Sequence, residues 1–278
     1  MQKTGTSIPV YLSVLPVIVS CVLRFFQLTR YTDSATGLVT GNNGLTACIY
    51  GLLFLSIALL GIYAVRNKSV GTAVDFEHCR KSQRICSLIL GVSFFADFIR
   101  QCYNCFDTLQ RYSYIEYTYL IPLALSGVAA LFSSFYFISF YLTASGSEYD
   151  FRNLTWFHFS PAAWAFLKLI LIMIKIVDVR LEAETVLEFL LLVFLLMFFF
   201  CYISMIDRDG KSSGLLVFSA LASFLISLLL AAPRLAVMLF GMGDSLCTVN
   251  YSAFNYIALG IFALTLAVSS IKNIKNFD

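Results

Sequence analysis

The sequence predicts an all-α polytopic membrane protein, a bundle of about eight transmembrane helices in a single integral membrane domain. Three observations carry that reading. Apolar residues make up 59% of the chain and charged residues 13%, against about 45–50% and about 25% in soluble domains, so there is too little polar surface to cover a water-soluble core. Apolar stretches of roughly 20 residues recur from end to end, each long enough to cross a ~30 Å hydrocarbon layer as a helix. These stretches are continuous rather than alternating, which points to helices and away from a barrel.

The first span, about 8–28, holds Pro9, Pro16 and Arg24. In outline it imitates a signal peptide, but its length, its arginine and the lack of a small-x-small cleavage site make it a retained span. It ends in the stretch Arg24-Phe-Phe-Gln-Leu-Thr, followed by the turn Asp33-Ser-Ala-Thr-Gly37. That turn reads as an Asx-type turn in which Gly37 supplies positive φ. Asn42-Asn43-Gly44 opens the second span, about 44–66, where Gly51, Ala58 and Gly61 suit close helix packing. The third span, about 85–105, carries Asp97 and Arg100, three residues apart and so on one helix face. The fourth, about 117–142, follows a run of rings. Tyr103, Phe106, Tyr112, Tyr114, Tyr117 and Tyr119 form the aromatic belt expected at a membrane interface. The fifth, about 159–178, holds Lys168, Lys175 and Asp178, and the sixth, about 185–206, holds Glu188 and the packing run Phe198-Phe-Phe-Cys-Tyr202. Pro233 and Arg234 lie near the end of the seventh, about 215–240, and the eighth covers about 252–271.

Orientation follows from basic residues in short loops. With a cytoplasmic N-terminus, eleven of the nineteen basic residues fall inside and seven outside, with Lys168 near mid-membrane. The densest cluster, Arg66 to Arg84, is on the inner side. The expectation is a multi-pass protein of the cell (cytoplasmic) membrane with both termini cytoplasmic. A reporter fused at Asp278 that is active only outside the cytoplasm would overturn it.

The connections are short, the longest being around 67–84 and 143–158, so a cytoplasmic ATPase or kinase module would have to come from another chain. A net charge of +3 without a basic tail gives no footprint for nucleic acid. Of eight cysteines, only Cys102, Cys105 and Cys247 fall near the outer face, which leaves room for at most one bridge among them. Cys102-Tyr-Asn-Cys105 has redox or metal spacing but no second Cys or His pair. Both histidines, His78 and His158, fall on inner loops, and no H-E-x-x-H, G-x-S-x-G or Walker A motif is present. The expectation is a non-catalytic protein with no metal and no cofactor.

Ionisable groups inside spans cost roughly 2.5–3.5 kcal/mol each on insertion scales, so each calls for an account. Arg24, Asp97, Arg100, Lys175, Asp178, Glu188 and Arg234 fall in the outer third, and Lys168 near the centre. A cation followed by an acid recurs at the outer ends of the odd spans: Arg24 to Asp33, Arg100 to Asp107, Lys175 to Asp178, Arg234 to Asp244. The recurrence suggests repeated two-helix hairpins. Two readings compete. In one, the long cations snorkel to the interface and Asp97–Arg100 and Lys175–Asp178 are structural pairs. In the other, Arg24, Asp97, Arg100, Lys168, Lys175, Glu188 and Arg234 line an outward-facing vestibule with a surplus of positive charge, suited to a small anionic or zwitterionic ligand.

The segment Arg24-Phe-Phe-Gln-Leu-Thr with Asp33-Ser-Ala-Thr-Gly37-Leu resembles a group of uncharacterised multi-pass membrane proteins of anaerobic low-GC Gram-positive bacteria, which show an Asp/Glu-x-x-Thr-Gly turn after the first span. The resemblance covers about fifteen residues and the hydropathy of the rest, and Leu38-Val39 stand where that group has aromatic residues. It implies a bacterial cytoplasmic-membrane protein and brings no activity with it. The partners expected are the lipid bilayer, a small-molecule ligand and a membrane-protein partner. Two functions follow: binding or transport of a small anionic or zwitterionic molecule through the vestibule, or a non-catalytic accessory or assembly subunit that meets its partner through the inner loop 66–84.

Overall fold

In a lipid layer every backbone N–H and C=O must find a partner within the chain, and long apolar runs do so as helices. The computed structural model describes residues 8–31, 43–66, 81–111, 117–144, 155–178, 183–207, 214–241 and 252–275. Among these residues eight α-helices follow in order: α1 (Ile8–Arg30), α2 (Asn43–Arg66), α3 (Lys81–Arg111), α4 (Tyr117–Ala144), α5 (Ser160–Asp178), α6 (Ala183–Asp207), α7 (Gly214–Leu239) and α8 (Ser252–Lys275). Helices α2 to α8 are each long and apolar enough to cross a membrane, and α1 runs 23 residues over the first expected span. The end where odd helices finish and even ones begin is called distal here, and the end nearest both chain termini proximal.

The longest helix is α3, with 31 residues. At 1.5 Å per residue it measures about 46 Å, more than a ~30 Å hydrocarbon layer needs. It therefore runs past both ends of the apolar stretch 85–105, and its last turns are polar (Asn104, Asp107, Thr108, Gln110, Arg111). By contrast α5 has only 19 residues, and a 3-10 turn, Thr155–Phe159, extends it at the proximal end. His158, expected on an inner loop, is buried in that turn with its ring 5.2 Å from that of Tyr136. At the other end of the next pair, α7 stops at Gly241, whose φ of +70° suits a residue without Cβ; the Gly241 N–H donates to Met238 O at 3.1 Å.

Each of α3 to α8 packs on the next, and α3 packs on α8, so the six close into a ring. The α1–α2 hairpin sits outside the ring against α7. Its position explains the patterns of burial: α7 is the most enclosed helix, and α2, apolar all round, is the least. The middle of the ring is filled by rings from facing helices. Phe262 of α8 meets Phe137 of α4 at 5.1 Å and Phe198 of α6 at 6.5 Å, and Phe94 of α3 meets Phe137 at 5.6 Å and Trp164 of α5 at 5.1 Å. Most of these contacts are edge-to-face, which the ring quadrupoles favour. The run around Phe198 divides as the periodicity requires, with Phe198, Phe199 and Tyr202 in the core and Phe200 outward.

Close helix approach uses other glycines than the second span suggests. A Cβ at Gly51 would meet nothing within 4 Å, and one at Gly61 only the Phe218 ring at 3.7 Å. At Gly91 it would lie 2.8 Å from Ile138 Cγ1 of α4, and at Gly260 it would overlap the Ser227 hydroxyl of α7. These are the α3–α4 and α7–α8 seams. Hydroxyls in the apolar layer mostly return to their own helix, as Ser56 does to Leu52 O at 2.9 Å and Ser133 to Ala129 O at 2.7 Å.

Candidate functional site

Inside the ring, distal to the aromatic layer, α3 presents Phe94, Asp97 and Gln101 inward at i, i+3 and i+7, while Phe95 and Ile99 face out. Asp97 is 6% exposed, so its charge needs partners. It takes them from α5. Trp164 Nε1–H donates to Asp97 Oδ2 at 2.8 Å, and Lys168 Nζ lies 3.4 Å from both carboxylate oxygens. Trp164 and Lys168 are four residues apart on one face, so the ammonium also lies 5.8 Å from the indole ring. Gln101 Nε2 adds a long contact to Asp97 at 3.5 Å, and Gln101 Oε1 is buried with no hydrogen-bond partner.

Next to this cluster, the hydroxyl of Tyr256 on α8 donates to Glu188 Oε1 on α6. The field at that hydroxyl also includes Asp97 and Arg100, which brings α3, α6 and α8 to one place. One residue before Tyr256, Asn255 accepts from Ser93 Oγ of α3 at 2.9 Å and ties the α3–α8 seam at the same level.

A second cluster lies where α1 meets the ring. Arg24 NH2 of α1 is 3.2 Å from Glu184 Oε1 of α6, and Arg234 of α7 grips the same carboxylate through Nε at 3.2 Å and through NH2 to Oε2. Arg24 NH1 also donates to Gln27 Oε1 at 2.5 Å, and Gln27 Nε2 donates to Thr46 of α2 at 2.7 Å. The hairpin is thus joined to the ring by a chain of charge-assisted and neutral hydrogen bonds. Glu184 and Glu188 are one turn apart on α6, so that helix carries one carboxylate for each cluster on adjacent positions of one face.

Arg24 and Arg234 are 3% and 7% exposed, enclosed by protein instead of reaching for an interface. Asp97 pairs with Lys168 and Trp164, not with Arg100 three residues along its own helix. Arg100 is half-buried and contributes to the electrostatic field at the Tyr256 hydroxyl. The side chains of Lys175 and Asp178 lie outside the described residues, as do Asp33 and Asp244 and the loop 67–80. Sequence reasoning missed Glu184, Trp164 and Tyr256. Glu184 stands one residue before the apolar stretch that begins at 185 and so fell outside the expected span, although its spacing to Glu188 was a usable signal. With Glu184 included, the described clusters hold four cations and three carboxylates.

The proximal half of the ring holds neutral polar groups. Tyr136 OH donates to Tyr202 OH at 3.0 Å, and Ser133 Oγ to Ser160 Oγ at 3.3 Å. Cys102 and Cys105 are free thiols, Cys247 lies outside the described residues, and no group of three metal-binding side chains forms among the described residues. No family model, curated protein or solved structure matches the chain.

Proposed function

We propose that this integral membrane protein binds or transports a small anionic or zwitterionic molecule at the distal polar layer. The observation that supports this most directly is the enclosure of Asp97, Lys168, Glu188 and Tyr256 from four helices within one ring, directly above an aromatic floor. A purely structural ion pair gains little net stability over an apolar pair of similar size, so a cluster of this extent on four helices favours a role in recognition. Its carboxylates suit a ligand ammonium and its guanidiniums a ligand anion. The reading assigns the protein no catalysis. It places the protein in a bacterial cytoplasmic membrane with both termini inside, so that the distal face is external; the basic-residue bias and the resemblance of the Arg24–Gly37 stretch support that placement.

The test is thermal unfolding of the purified protein in detergent against a panel of amino acids, monocarboxylates and dicarboxylates, followed by uptake into proteoliposomes. A true ligand at about 100 times its Kd stabilises by about 2.7 kcal/mol. Asp97→Asn and Glu188→Gln should abolish that shift while the variants remain folded. A panel without a single stabilising or transported member sinks the reading.

A further inference from the structure

The Arg24–Glu184–Arg234 triad divides its burial unevenly. The two guanidinium side chains are 4% and 9% exposed, whereas the carboxylate they share is 25% exposed. Both arginines are rooted inside long helices, and Arg24 is held further by Gln27. Glu184 is the second residue of α6, in the first turn, where N–H groups have no partner within the helix and fraying is easiest. The cations are therefore the fixed parts of the cluster and the anion is the movable one.

We infer that Glu184 is a resident stand-in for the anionic group of the ligand: an oxyanion (carboxylate, sulfate or phosphate) enters between Arg24 and Arg234 and displaces the Glu184 carboxylate. Two guanidinium forks offer paired N–H donors to an anion with two or more oxygens. The displaced carboxylate leaves by its exposed side, since its side chain is already one-quarter exposed. No covalent bond changes. The inference rests on the reading that the distal layer takes a small anionic or zwitterionic ligand, and it names the group by which that ligand is held.

An internal competitor lowers apparent affinity by the fraction of time that the site stands open. Its removal is the test. Full-length Glu184→Gln protein, purified in detergent, is titrated calorimetrically with sodium sulfate, sodium acetate and a short-chain phosphatidylglycerol, beside the wild type. If Glu184 occupies the arginines about nine-tenths of the time, the variant binds these anions about tenfold more tightly. Adding Arg234→Gln to Glu184→Gln should erase the gain. A larger gain for the lipid assigns the group to a headgroup, and a larger gain for sulfate or acetate assigns it to a free solute; either supports displacement. Equal anion affinity in Glu184→Gln and wild type overturns it, as does a gain that survives Arg234→Gln. Should Glu184→Gln fail to fold, Glu184→Asp, one methylene shorter, should show a smaller gain, and its absence overturns the inference. The two readings fail separately. Panel ligands bound in an Asp97-dependent manner with no gain in the Glu184 variants leave the proposed function standing and remove the displacement; the converse result does the opposite.

Discussion

At Gly260 the absence of one carbon decides a helix seam. A Cβ there would overlap the Ser227 hydroxyl and come within 3.0 Å of Ser227 Cβ and 3.4 Å of Phe224 Cα. The hydroxyl alone can rotate away, but the other two atoms move only if α7 moves. Gly260→Ala should therefore destabilise the protein by about 1–3 kcal/mol, the usual cost of overpacking a well-fitted core. Thermal unfolding in detergent measures it. Ser227→Ala in the same chain removes the overlapping oxygen and should restore part of the loss, but not all, because Ser227 Cβ and Phe224 Cα remain. An unchanged midpoint for Gly260→Ala would mean that the two helices do not approach this closely. Asp97 makes the complementary point about polar residues. Its charge was legible in the sequence as one that needed a partner, but the i, i+3 rule pointed along its own helix to Arg100. The partners it takes, Lys168 and Trp164, come from α5 across the ring, and a contact between residues about 70 apart in the chain leaves no local trace.

At the scale of elements, the helices themselves were legible because lipid removes the alternatives: a continuous apolar run must be helical and about 20 residues long. Their ends were less so. Hydropathy marks where the hydrocarbon layer stops, and a helix such as α3 continues past that point into polar residues. The same blind spot hid Glu184. It falls in the first turn of α6, where an acid is also favoured by the helix dipole alone, so an ordinary cap and a partner for two arginines look alike in the sequence. Which faces were buried was legible where a charge interrupted an apolar run, as at Asp97, but not on α2 or along the uncharged stretch 189–206 of α6. There only the neighbours decide, and α6 lies between α5 and α7 while α2 lies at the edge.

For the whole molecule the closing contact of the ring, α3 on α8, determines whether the polar groups form one enclosed layer or an open row. Ser93 and Asn255 are 162 positions apart in sequence and 2.9 Å apart at their side-chain oxygens, so they report that closure directly. In a chain with its native cysteines replaced by alanine, Ser93→Cys with Asn255→Cys should be joined by a short bifunctional thiol reagent, leaving no thiol for a maleimide–polyethylene glycol label. Ser93→Cys with Phe54→Cys should stay unjoined and take two labels, because Phe54 faces outward on α2. Two labels on the first pair after treatment would open the ring and scatter the layer that Asp97, Glu188 and Tyr256 share. The same cross-link also separates the two activities within the proposed function. It fixes the seam beside Tyr256 without altering any charged group, so ligand binding should persist. Transport requires the enclosed layer to open toward the proximal face, past Phe94, Phe137 and Phe262. A seam that cannot part should stop that movement, and flux into proteoliposomes should fall while the ligand-induced thermal shift stays intact. Equal flux with and without the cross-link would mean that the ring moves elsewhere or that the protein binds its ligand without carrying it across.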